Sequence, residues 1–208
     1  MWRKIGIYSL TLFFAFAILL ISVLRTASVK YEVSGTLRDQ KNQDESRGLK
    51  IDYFLAYPGR VLPDSPLWSL KALRDRFWLM ITTDSKRRIE LKILFADKRL
   101  GASEILFKKK KASEALTTLT KAEKYLEEAS LEEEIIRRKG YDTTDLLYAL
   151  ANSSLKHYQV IRELLEFVPE DTVPLILSIQ EYPKKSYERA RNGILEKMKT
   201  PPDNPFDW

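Results

Sequence analysis

Residues 85–107 read SKRRIELKILFADKRLGASEILF, and apolar side chains recur in them every three or four positions. This spacing matches one face of an α-helix. A first stripe contains Ile89, Ile93, Ala96, Leu100, Ser103 and Phe107, and a second contains Leu91, Phe95, Ala102 and Leu106. Two stripes on one helix predict contacts with neighbouring helices on two sides.

The sequence on both sides of this stretch is also typical of helices. Between residues 67 and 168 there is no proline, and the only glycines are Gly101 and Gly140. Helix start signals occur at Ser65 to Pro66, Thr82 to Ser85, Asp142 to Asp145 and Asp171 to Pro174. Five helical segments with short connections predict an all-α fold, an antiparallel helical bundle.

The first and last predicted helices each carry an apolar stripe. Ser65 is expected to cap the first helix and Pro66 to start it. Its stripe contains Leu67, Leu70, Leu73, Phe77 and Ile81. The stripe of the last helix contains Ile176, Ile179, Tyr187, Ala190, Ile194 and Met198. Pro183 is expected to kink or split that last helix, because proline disrupts a helix interior.

Residues 5–24, IGIYSLTLFFAFAILLISVL, carry no charge. As a helix they would span about 30 Å, the thickness of a bilayer core. With Arg3 and Lys4 ahead of them, they predict an uncleaved signal anchor over residues 1–25, with the N-terminus inside and the remainder outside the cytoplasmic membrane. The alternative interpretation, a cleaved signal peptide, stays open, although Thr26 to Ser28 make a poor cleavage site.

The remaining chain divides by composition. Residues 26–50 are polar and predict a flexible tether. Residues 51–200 hold the helical bundle. Ile51, Tyr53, Leu55 and Tyr57 alternate along one side before Pro58, which predicts an extended segment on the helices. Residues 201–208, PPDNPFDW, form a proline-rich and aromatic tail. We find no second domain.

The amino-acid composition excludes most of the familiar classes of catalytic site. The chain has no cysteine and a single histidine, His157, so it cannot build a thiolate nucleophile or a multi-histidine metal site. His157 is interpreted as a solvated or hydrogen-bonded structural residue. Acid pairs such as Glu123 with Glu127 and Glu128 with Glu132 are interpreted as a solvated helix face. We expect no enzyme activity, no cofactor and no metal.

Two features are candidate partner contacts. The first is a basic run, Lys108, Lys109, Lys110 and Lys111; a turn between helices explains it, and weak contact with polyanions stays open. The second is the tail, where Phe206 and Trp208 are expected either to fold back on the bundle or to engage a neighbour. Elsewhere cations alternate with acids, which argues against specific nucleic-acid binding.

The sequence also resembles a known family through residues 62–68, Leu-Pro-Asp-Ser-Pro-Leu-Trp, which we name the LPDSPLW element. Further matching positions are Asp84, Lys86, Glu90, Leu91, Ala96, Arg99 and Leu100. The chain is similar over residues 57–129 to an uncharacterised bacterial helical domain family of membrane-anchored exported proteins. The resemblance implies an all-helical fold and an extracytoplasmic setting, and no activity.

The local chemistry of the LPDSPLW element gives a separate expectation. Leu67 and Trp68 can pack under residues 53–57. If the Trp68 ring is buried, its replacement by alanine is expected to cost about 3–5 kcal/mol.

These observations favour a single-pass membrane protein that presents a non-catalytic helical interaction or scaffold module to an envelope protein or to a second copy of itself. Two alternatives stay open. One is an anchored bundle facing the cytoplasm that contacts nucleic acid or ribosomes, and the other is a hydrolase whose site the sequence does not reveal.

Overall fold

The computed structural model describes residues 51–206 and 208, and also Thr11, Phe13, Phe14 and Ile18, which are helical. Apart from those four positions, the predicted anchor (residues 1–25) and tether (26–50) lie outside the described residues. Within the described part, no helix has both the length and the apolar character needed to span a bilayer. The fold belongs to the second of the chain's two units, Asp44–Trp208.

Residues 51–206 contain six α-helices and one short 3-10 helix. They are α1 (Trp68–Ile81), α2 (Ser85–Lys108), α3 (Ala112–Arg138), α4 (Thr144–Leu164), the 3-10 helix Glu170–Thr172, α5 (Val173–Ile179) and α6 (Glu181–Glu196). No strand occurs within this range. The all-α prediction is confirmed, and the last predicted helix is split at Gln180, with Pro183 in the first turn of α6.

Ion pairs between α2 and α3 give the direction of these two helices. Lys92 Nζ lies 2.8 Å from Glu128 Oε2, and Arg88 Nη2, one turn earlier, lies 3.3 Å from Glu132 Oε1, one turn later. The residue numbers rise on one helix as they fall on the other. The two long helices are therefore antiparallel.

The later helices continue this alternation. Thr143, just before α4, donates to Glu133 near the end of α3 at 2.5 Å. Lys197, just after α6, donates to Asp142, just before α4, at 2.6 Å. Hence α4 runs back along α3, and α6 runs back along α4.

The core lies among α2, α3, α4 and α6. Every member of the two α2 stripes is buried, so that prediction is confirmed. In the last two helices Ile176, Ile179, Tyr187, Ala190 and Ile194 are also buried. Met198 was wrongly included in that stripe: it follows the end of α6 in a left-handed conformation (φ 55°) and is 97% exposed.

The apolar stripe predicted on the first helix faces solvent and not the core of the bundle. Leu67, Leu70, Leu73, Phe77 and Ile81 are all exposed. The buried positions of α1 are instead Asp75 and Trp78, and the Trp78 ring packs edge-on against Phe95 with centroids 6.2 Å apart. The helix also begins at Trp68 and not at Pro66, although the Ser65 hydroxyl accepts a hydrogen bond from the Leu67 N–H at 3.3 Å.

Candidate functional site

The chain enters the bundle through residues 51–66, which we name the entry segment. Its first part has no regular secondary structure, and Ile51 is buried in the main apolar cluster. The ammonium of Lys71 on α1 donates to the carbonyl oxygens of Pro58 at 2.6 Å and Val61 at 3.0 Å. The entry segment is therefore fastened both to the core and to α1.

A group of hydrogen-bonded polar side chains, which we name the buried histidine network, joins the entry segment to three helices. His157 of α4 places Nδ1 2.7 Å from Glu123 Oε1 of α3, and Nε2 3.1 Å from Asp97 Oδ1 of α2. Asp97 also accepts from the Ser153 hydroxyl at 2.9 Å and from the Tyr53 hydroxyl at 2.8 Å. Four segments distant in sequence meet at one level of the bundle.

The electrostatics of the network favour a charged histidine. Burial lowers the pKa of His157, but the charge of Glu123 and the hydrogen bonds to Asp97 and Glu123 outweigh it and raise the pKa to about 10. Both ring nitrogens therefore carry protons and donate at neutral pH. Burial and the negative charge of Asp97 raise the pKa of Tyr53, so its phenol stays protonated and donates.

The geometry of this network is that of a structural tie. The imidazole is fully buried, and both of its nitrogens contact carboxylates directly, which leaves no room for an ion between them. Of the two interpretations of His157, the structure shows the hydrogen-bonded one. The solvated interpretation of Glu123 is wrong, because its side chain is fully buried against His157.

The four-lysine run lies at the turn between α2 and α3, and most of its charge is paired. Lys108 contacts Glu104 at 2.6 Å. Lys109 and Lys111 both contact Asp64 of the LPDSPLW element, at 3.3 Å and 2.9 Å. Lys110 is exposed in a left-handed turn conformation (φ 60°). Asp64 therefore neutralises part of this patch and ties the element to the turn.

The C-terminal tail folds back on α4 and α6, one of the two outcomes expected for it. The Phe206 ring is buried, with its centroid 4.6 Å from that of Tyr158. The half-buried Trp208 ring lies 5.0 Å from Tyr158 and 5.5 Å from Tyr187. The Tyr187 hydroxyl donates to the Pro202 carbonyl at 2.7 Å. Phe206 is thus part of the core.

The most conspicuous surface feature is on α1. We name its exposed apolar side the α1 face, which contains Leu67, Leu70, Leu73, Phe77, Met80 and Ile81. At 3.6 residues per turn these side chains share one side of the helix, with Asp75 on the opposite side and Trp78 about 90° from the middle of the face. Arg74 and Arg76 lie near its two edges and are exposed. Nothing in the described part of the chain buries this face.

Taken together, the architecture defines a class: an all-helical domain closed around a buried histidine network, with one helix that leaves an apolar face uncovered. The chain belongs to the family described as a domain of unknown function (DUF5667), whose model matches residues 60–171. The matched range contains the whole LPDSPLW element and α1 to α4, whereas the core continues through Tyr187 and Phe206. No curated protein and no solved structure matches the chain.

Proposed function

We propose that the protein is a non-catalytic helical interaction module, anchored in the cytoplasmic membrane by residues 5–24 and standing outside it. The observation that carries this proposal is the α1 face. The apolar run with Arg3 and Lys4 ahead of it supports the anchor and the orientation. The module would use the α1 face as its binding surface.

The α1 face differs from the scattered apolar residues of an ordinary surface. Leu70 and Leu73 are 67% and 64% exposed, and Met80 is 73% exposed, on successive turns of one helix. Contiguous exposed apolar side chains mark interaction sites. The side of the helix that faces the bundle is already occupied by the buried Asp75 and by Trp78, which packs against Phe95.

The site chemistry supports binding in preference to catalysis. The single histidine of the chain uses both ring nitrogens inside the buried histidine network. A general base must reach the proton that it abstracts, and the His157 ring is shut off from solvent.

Protease protection of the full chain tests the anchor and the orientation. With a tag after Trp208, protease added to intact spheroplasts is expected to digest the module, while a cytoplasmic marker protein stays intact until lysis. Protection of the tag until lysis would overturn the extracytoplasmic placement and favour the bundle that faces the cytoplasm.

A further inference from the structure

We propose that the α1 face lies on the anionic surface of the membrane in which the protein is anchored, with its apolar side chains at the boundary between headgroups and acyl chains. This inference rests on the proposed function, since it takes residues 5–24 as the anchor. It names a lipid surface, and not another protein, as the occupant of the α1 face.

The composition of α1 fits an interfacial helix. Such helices lie in the membrane plane with an apolar side in the boundary zone and basic side chains at its edges. In α1, Leu70, Leu73 and Phe77 run along the middle of the exposed side, and Arg74 and Arg76 lie near its two edges. The long side chain of Arg76 can hold its guanidinium group at the phosphates while its methylenes cover apolar surface. The Arg74 guanidinium contacts Asp75, with Nη2 2.6 Å from Oδ1, so Arg76 is the cation that we assign to the phosphates.

The charge of α1 favours a lipid surface over a protein partner. The cations of this helix are Lys71, Arg74 and Arg76, and its one acid, Asp75, is buried. The exposed side of α1 therefore carries no anion. An anionic lipid surface supplies the opposite charge and needs no matching partner patch.

The length of the chain between the predicted anchor and α1 permits the α1 face to reach the bilayer. Residues 25–50 separate the apolar run from the entry segment, and 26 residues reach at most about 90 Å. Lys71 of α1 binds the entry segment through Pro58 and Val61. Weak interfacial helices bind stably when a second membrane anchor is present, and residues 5–24 would provide that anchor.

The absence of cysteine from the chain allows single fluorescent labels. We would label Leu73→Cys on the α1 face and Leu175→Cys, an exposed leucine on α5, as the matched control. Each full-length protein is reconstituted into phosphatidylcholine vesicles with or without phosphatidylglycerol, and brominated lipids serve as quenchers. In the anionic vesicles we expect severalfold stronger quenching at position 73 than at position 175.

The charge at the edge of the face gives a second readout. Replacing Arg76 by glutamine in the Leu73→Cys protein removes one exposed cation without touching the apolar side chains. One basic residue near an anionic surface corresponds to about a fivefold change in the bound to unbound ratio. We therefore expect less quenching in the anionic vesicles and no change in the neutral ones.

The outcomes separate the two proposals. Equal quenching at positions 73 and 175 in vesicles that carry the protein would overturn the lipid-bound α1 face. Disulfide-linked dimers of the unlabelled Leu73→Cys protein, together with an absence of quenching in the labelled protein, would also overturn it and would assign the face to a second copy. Protection of the position 73 label from a water-soluble quencher, without quenching by brominated lipid, would assign it to another part of the chain. If the full chain failed to float with the vesicles in a density gradient, that result would contradict the anchor. Quenching of the position 73 label by added anionic vesicles would still test whether the α1 face binds lipid.

Discussion

Glu123 and His157 come from different helices, and Glu123 Oε1 lies 2.7 Å from His157 Nδ1 with both side chains fully buried. The second carboxylate oxygen of Glu123 is buried and finds no hydrogen-bond partner among the described residues. The ion pair with His157 is thus the main compensation for burying this carboxylate. Stability of the bundle therefore depends on the charge state of both groups.

The substitution Glu123→Gln tests this dependence. The substitution removes the shorter of the two carboxylate contacts of His157 and leaves its ring paired with Asp97 alone, so we expect a loss of about 1.5–3 kcal/mol in the free energy of unfolding. The measurement is urea denaturation of the full chain in detergent micelles. Glu127→Gln, on the same helix and half-buried, is the control and is expected to change stability by no more than about 0.5 kcal/mol. Equal losses would contradict the role of the pair.

The pH dependence of stability follows from the raised pKa of His157. The folded protein holds the His157 proton up to about pH 10, whereas the unfolded chain releases it near pH 6.5. The contribution of protonated His157 to the free energy of unfolding is complete below pH 6.5 and is lost as the pH rises towards 10. Tyr53 is also held protonated, but its effect begins only above pH 10, where the unfolded chain ionises it.

Nuclear magnetic resonance reads this titration directly, because His157 is the only histidine of the chain. Its ring signals are expected to titrate with a midpoint near pH 10. Unfolding experiments should show stability falling between pH 6.5 and 10 in the unmodified protein and a flatter profile in His157→Gln. A midpoint near 6.5 in the folded protein would disprove the charged network.

Two tryptophans of α1 are expected to differ in their contributions. Trp78 is buried against Phe95, so Trp78→Ala should cost about 3–5 kcal/mol. Trp68 is only half-buried, with the Lys71 ammonium 5.0 Å from its ring centroid, so the condition for the large sequence-based estimate is not met. We expect Trp68→Ala to cost about 1–2 kcal/mol. The measurement is urea denaturation of both variants. A larger loss in the free energy of unfolding for Trp68→Ala than for Trp78→Ala would rule out this ranking.

Asp64 is expected to limit polyanion binding by the lysine run. Hydrogen bonding and charge from Lys111 and Lys109 hold the pKa of Asp64 low, so it is ionised at neutral pH and occupies both ammonium groups. In Asp64→Asn this pairing is lost, and the protein should elute from a heparin column at higher salt. Asp171→Asn removes an exposed acid of the 3-10 helix and serves as the control. An equal shift in elution for both variants would show that the change in net charge, and not the loss of the Asp64 ion pairs, causes the effect.

The sequence predicted the helices well because their signals are local. The Asp84 carboxylate accepts a hydrogen bond from the Lys86 N–H at 3.1 Å and caps α2, and Gly140 follows the end of α3 with φ 87°. These two signals and the two α2 stripes are each visible within a few turns of chain. The orientation of α1 was wrong for a physical reason: Leu70 and Leu73 mark an apolar side, but periodicity does not say whether protein or another environment covers it.

The buried histidine network was beyond sequence reasoning. Its members combine only when α2, α3 and α4 pack at a particular register, which brings Asp97, Glu123 and His157 together across 60 residues of chain. A carboxylate among lysines, such as Glu123 beside Lys121 and Lys124, has the composition of a solvated helix surface. Only the packed structure shows that its side chain points inward.

The attachment of the entry segment has a mechanical consequence. A pull on the chain ahead of Ile51 reaches the bundle first at the buried Ile51 side chain and then at the hydrogen bond from Tyr53 to Asp97. That bond joins the middle of α2 and, through His157, α4 and α3. Tension is therefore shared among three helices and does not peel the bundle from one end.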